Sequence, residues 1–208
     1  AYNPEKENII NLSENINTQL WDELHDYPDY PDAYGTAGWT TGDEAVLIYD
    51  RYDIWQVDPA NPTNPERLTN GRPAKMRYRY MHLDPDDRSI DPGQPLYLQG
   101  FDEKTKGEGY YRLAWQKRGE QSAETLISGD YMLSYLRKAR NDDRVLFTRE
   151  TFVEFPDLIV STLDFKKLNK ISNANPQQEE YRWGTSELVK WVSLNGDELE
   201  GILIKPEG

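Results

Sequence analysis

Short apolar runs, each introduced by an acidic turn, recur along this chain. Gly42-Asp43-Glu44 leads into Ala45-Val46-Leu47-Ile48-Tyr49. Asp86-Asp87-Arg88-Ser89-Ile90 leads into Pro95-Leu96-Tyr97-Leu98, and Asn141-Asp142-Asp143-Arg144 into Val145-Leu146-Phe147-Thr148. Leu47, Leu96 and Leu146 stand 49 and 50 positions apart. A second element follows each run. Ile54-Trp55-Gln56-Val57-Asp58 precedes Arg67-Leu68-Thr69-Asn70-Gly71. Tyr110-Tyr111-Arg112-Leu113 precedes Thr125-Leu126-Ile127-Ser128-Gly129, and Leu158-Ile159-Val160-Ser161 precedes Lys170-Ile171-Ser172-Asn173-Ala174. Asn11-Leu12-Ser13-Glu14-Asn15 reads as one more closing element, from a preceding repeat. Period-two alternation inside the runs, with Gly, Pro, Asn and Asp between them, specifies strands.

Each unit predicts a strand, a hairpin, a strand and a short closing strand. A four-stranded sheet every fifty residues or so is the period of propeller blades. The predicted fold is all-β, a partial (open) β-propeller of about three to four four-stranded blades. The units run 1–33 (partial), 34–71, 72–130, 131–175 and 176–190 (partial). Residues 191–208 read as a hairpin linker, two alternating strands flanking Asn195-Gly196. A β-sandwich accounts for the strand spacing but not for the recurrence of whole units. An arc of this size leaves edge strands unpaired near residue 12 and over 186–204, which predicts self-association. One short helix is predicted from Thr18, as its cap, to about Leu24, with Pro28 and Pro31 barring extension.

Composition supports sheets. Only 37% of the 208 residues are hydrophobic, but six Trp and fourteen Tyr supply large buried area with a polar tip. The net charge of −13, spread along the chain, makes a solvated surface that repels phosphate backbones. Nucleic acid is therefore not an expected partner, although Arg72–Tyr80 interleaves basic and aromatic residues. No apolar run is long enough for a membrane-spanning helix.

Site chemistry is sparse. With no Cys there is no thiol nucleophile and no Cys-based zinc site. His82 has no second His nearby, so it reads as a hydrogen-bonding residue between blades rather than a metal ligand. The Asp84–Gly93 segment departs from a calcium loop, with Arg88 and Ser89 at the fifth and sixth positions. Asn11-Leu12-Ser13 fits a glycosylation sequon, which the closing element already explains. No Gly-x-Ser-x-Gly elbow occurs, and neither of the two His follows a nucleophile. No catalytic residue, metal or cofactor is expected.

Residues 33–58 combine Gly38-Trp39, the acidic turn, the apolar strand Val46–Tyr49 and Asp53-Ile54-Trp55. This pattern resembles a propeller blade of Bacteroidetes-type members of the prolyl oligopeptidase (S9) family. The hairpin ending in Lys205-Pro206 is similar to the junction between that propeller and an α/β-hydrolase domain. The resemblance implies a non-catalytic propeller portion that gates and docks peptide substrates. The catalytic Ser, Asp and His would lie beyond Gly208, in an exported parent protein. The partners implied are peptide substrate and that hydrolase domain. Candidates for substrate contact are His25, Asp26 and Tyr27 in the acidic loop, and Arg51 and Tyr52 after the first strong strand. For the loop, the competing reading is a structural excursion between blades. For the whole chain, it is an autonomous propeller-type binding module for a glycan or protein partner.

Overall fold

The computed structural model describes residues 1–3, 7–115 and 123–206. Among them the regular structure is β-strand and short 3-10 turns, with no α-helix. The fold is all-β, a partial open propeller with three complete four-stranded antiparallel blades. The chain divides into two compact units, residues 1–128 and 129–208.

The first unit opens with a small ribbon, β1 (Tyr2–Asn3) and β2 (Asn8–Ile9). Its first blade comprises β3 (Thr36–Trp39), β4 (Val46–Tyr49), β5 (Ile54–Val57) and β6 (Glu66–Arg67). The second comprises β7 (Met76–Tyr80), β8 (Leu96–Asp102), β9 (Glu108–Leu113) and β10 (Glu124–Gly129). In each blade the acidic turn joins the first strand to the second.

Period-two alternation gives the first blade two apolar faces. Leu47, Tyr49, Ile54 and Leu68 pack on Tyr78, Leu96, Leu98, Tyr111 and Leu113 of the second blade. Val46, Trp55 and Val57 are covered instead by Leu12 and Ile16. Leu47 thus points forward to the next blade while Leu96 points back. The even Leu spacing overlays residues on opposite faces, because a one-residue shift in a strand turns every side chain over.

Two sequence expectations differ here. Residues 18–24 form no helix. Trp21 bridges to Ala33 in antiparallel fashion, and the Thr18 hydroxyl donates to Asp50 at 3.0 Å instead of capping a helix. Long-range pairing outweighs the weak helical propensity of six residues ending near prolines. Residues 12–15 form a bend and a turn, not a closing strand, with the Asn11 side chain accepting from the backbone and hydroxyl of Ser13.

The second unit contains the third blade and a hairpin. The blade comprises β11 (Met132–Lys138), β12 (Arg144–Glu150), β13 (Asp157–Thr162) and β14 (Asn169–Lys170). Val145, Phe147 and Ile159 on one face are buried. On the other face Leu146, Leu158 and Val160 are half-buried and Ile171 is exposed. The hairpin pairs β15 (Thr185–Val192) with β16 (Glu198–Lys205). Ser193 and Asp197 close its loop, with Gly196 at φ +90°. That is a three-residue loop with glycine in the left-handed position, rather than a two-residue Asn-Gly turn. Both faces of the hairpin carry exposed apolar side chains, Val192, Ile202 and Ile204 on one and Trp191, Leu199 and Leu203 on the other.

The closing strands β6 and β14 are each two residues long, too short to hold by ladder bonds alone. A shared side-chain clasp compensates. In the first blade Asp53 accepts from the Thr69 hydroxyl at 2.7 Å and from the Gly71 N–H, while Thr69 Oγ1 accepts from the Ile54 N–H at 3.0 Å. In the third, Asp157 accepts from the Ser172 hydroxyl and from the Ala174 N–H, while Ser172 Oγ accepts from the Leu158 N–H at 2.8 Å. The clasp aligns Ile54 with Leu158 and Leu47 with Leu146. The second blade ends in the six-residue β10.

The Lys170 ammonium, the Ser172 hydroxyl and the Ala174 N–H hold the Asp157 carboxyl down to about 2. Its stabilisation is therefore complete above the unfolded carboxyl value of about 3.9 and fades as pH falls toward about 2. The urea midpoint of the protein is expected to drop between about pH 5 and pH 2.5, and to drop less in Lys170→Met. An identical drop in that variant would show that the clasp does not carry the effect.

Candidate functional site

The richest polar cluster in the first unit gathers around the β4–β5 turn, Asp50-Arg51-Tyr52-Asp53. Asp50 is fully buried and shapes the turn. It accepts from the Tyr52 N–H at 2.7 Å, the Asp53 N–H at 2.8 Å, Trp55 Nε1 at 2.9 Å and Thr18 Oγ1 at 3.0 Å. Burial pushes the Asp50 carboxyl up, but these four donors together outweigh it and leave the group below its ordinary value.

Arg51 and Tyr52, both substrate-contact candidates, meet Glu103 at the tip of the β8–β9 hairpin. Arg51 binds Glu103 through two bonds, Nε to Oε1 at 3.1 Å and Nη2 to Oε2 at 2.8 Å. The Tyr52 hydroxyl donates to the same Oε2 at 2.8 Å. Burial raises the Glu103 carboxyl, and Arg51, Tyr52 and Arg77 lower it further than burial raises it. Two guanidinium groups lie over the Tyr52 ring, Arg51 at 5.1 Å and Arg72 at 5.0 Å from its centre. Arg72 in turn forks onto Glu23 at 2.7 and 3.2 Å and reaches Asp50 at 3.3 Å.

Arg79 completes the cluster from β7. It donates to the backbone carbonyls of Tyr78 at 2.7 Å and Arg51 at 3.2 Å, and lies 4.7 Å from the Tyr49 ring centre. Burial pulls its pKa below the ordinary arginine value, with Arg77 nearby adding to that. Among the described residues it has no carboxylate partner.

The other three candidates lie apart. The His25 ring nitrogen Nε2 sits 2.8 Å from the Asp29 carbonyl, and its ring meets the Tyr27 ring edge-on at 5.7 Å. Asp26 and Tyr27 are exposed. The structure brings Arg51 and Tyr52 together. The acidic loop reaches them through Glu23, whose carboxylate binds the Arg72 that stacks on Tyr52 and whose backbone N–H donates to the Tyr34 hydroxyl. Sequence reading missed Glu23, Glu103 and Arg72, the residues that organise the cluster. Glu103 lies 52 positions from Arg51, and no local pattern signals that pairing.

Neither His25 nor His82 contacts a Ser hydroxyl, and no group of three His, Cys, Asp or Glu is placed to hold a metal among the described residues.

The comparisons with known proteins bear on the fold. No family model and no curated protein matches the chain. A solved structure does. It is a Ser-to-Ala variant of the isopeptidase AtxE2 with astexin3-dC4 bound, aligned at a TM-score of 0.50 and 15% identity over 77% of this chain. The same isopeptidase in its apo form aligns at a TM-score of 0.49 and 14% identity. The chain spans about a quarter of that protein, 24% of its length. At this identity the likeness is one of fold alone.

Proposed function

We propose that this chain is the non-catalytic propeller portion of a serine peptidase of the prolyl oligopeptidase type, gating and docking peptide substrates for an α/β-hydrolase domain. One observation carries the reading. Three four-stranded antiparallel blades stand in a chain whose fold resembles part of an isopeptidase. The blade pattern at residues 33–58 and the terminal hairpin lend it sequence support.

In this reading the Arg51–Glu103–Tyr52 lock keeps two hairpin turns rigid at one rim, and the acidic loop around His25 offers exposed groups to a peptide. A propeller of this kind acts by exclusion. It limits what enters a chamber and keeps bulk water from the reacting groups.

The test is direct. The purified chain is expected to give no turnover of chromogenic X-Pro p-nitroanilide peptides, and turnover by the chain alone would refute the proposal. Joined to its hydrolase domain, it is expected to slow cleavage of small folded proteins far more than of short peptides. Equal effects on both would rule out gating.

A further inference from the structure

The second unit holds an open cleft of about 620 Å³ between the β12–β13 turn and the segment that follows β14. Two side-chain bonds fasten the lips. Gln178 Nε2 donates to the Val153 carbonyl at 2.9 Å, and Trp183 Nε1 donates to the Phe152 carbonyl at 2.6 Å. The cleft is thus shaped before any ligand arrives, which lowers the ordering cost of binding. Its volume falls in the usual range for small-molecule sites, about 300–1,000 Å³.

The lining narrows the ligand class. Trp183, Tyr181 and Phe155 face the cleft yet stay 47%, 66% and 48% exposed. Rings this wet do not form an apolar well. The lining cations are already engaged, Arg149 with Glu154 at 3.4 Å and Lys170 with Asp157. That disfavours phosphate or carboxylate ligands. The bordering strand β14 is two residues long, too short to pair with an extended peptide. Among the lining side chains, the Asn173 amide, the Glu179 carboxylate and the Tyr181 hydroxyl are available beside half-open aromatic rings. A ligand matching that set has a flat C–H face and a rim of neutral hydroxyl groups.

We propose that this cleft binds a short neutral oligosaccharide. A pyranose ring stacks against Trp183, and its hydroxyls bond to Asn173 and Glu179. The site stands independently of the peptidase reading.

The experiment titrates the whole chain with maltotriose, cellotriose and N,N′,N″-triacetylchitotriose, followed by calorimetry and saturation-transfer NMR. At least one is expected to bind, and Trp183→Ala to weaken it about tenfold or more. Because that variant also removes a lip fastener, Tyr181→Ala is the second probe. Its exposed ring makes few packing contacts, and a several-fold loss of affinity is expected. The proposal is overturned if none of the three sugars binds at up to about 10 mM. It is also overturned if affinity is unchanged in both variants, or if the peptide Ala-Trp-Ala occupies the cleft in preference to every sugar.

Discussion

Asp50→Ala is expected to destabilise the first unit by about 3–5 kcal/mol, the usual cost of removing one partner from a buried, ion-paired network. The carboxylate is fully buried and takes four hydrogen bonds, with the Arg72 guanidinium 3.3 Å away. Its removal strands two backbone N–H groups, an indole N–H and a hydroxyl inside the protein, each costing about 1–3 kcal/mol if unsatisfied. Asp50→Asn should fall between wild type and Ala. Its remaining oxygen still serves the two backbone donors, but its NH2 cannot accept from Trp55 and Thr18. The urea midpoint, together with hydrogen exchange over residues 46–57, measures both. A loss below about 1 kcal/mol would mean that water replaces the carboxylate.

Gly71→Ala is expected to cost about 3 kcal/mol, the upper part of the range for overpacking. A Cβ there would sit 2.0 Å from the Met76 carbonyl oxygen and 3.1 Å from the Tyr78 ring. Neither side has room to yield. Gly71 donates its N–H to Asp53, and its carbonyl accepts from the Ala74 and Met76 N–H groups. Shifting it opens the first clasp and the entry into β7 together. The signature is a lowered urea midpoint with faster exchange at Leu68, whose N–H pairs with Ile54. Near-native stability in this variant would contradict the close approach.

The sheets were legible because their cause is local. Alternation marked β4, β5, β8, β9, β12 and β13, and the acidic turns marked where first strands end. What escaped reading is what depends on distant partners. Nothing near Thr69 or Ser172 announces a carboxylate 16 or 15 residues earlier in the chain. Nothing near Arg51 announces Glu103. Thr18 looked like a helix cap because Ser and Thr often are, yet its hydroxyl is spent on Asp50. The site shows the same division. Arg51 and Tyr52 entered as candidates for substrate contact between two apolar runs, with no sign of the partners they hold. The aromatic cleft of the second unit was invisible, because its lips come from segments held together by Gln178 and Trp183.

The clasp has one more consequence, for tracing ancestry. Apolar strand residues drift freely among Val, Ile, Leu and Phe, so blades of this kind lose mutual likeness quickly. A carboxylate that must meet a hydroxyl at a fixed remove has little such freedom, since only Asp and Ser or Thr have the reach. An Asp opening an apolar stretch, answered by Ser or Thr fifteen or sixteen residues downstream, is a marker that should outlast the surrounding text. In this chain it marks the closing strands of the first and third blades.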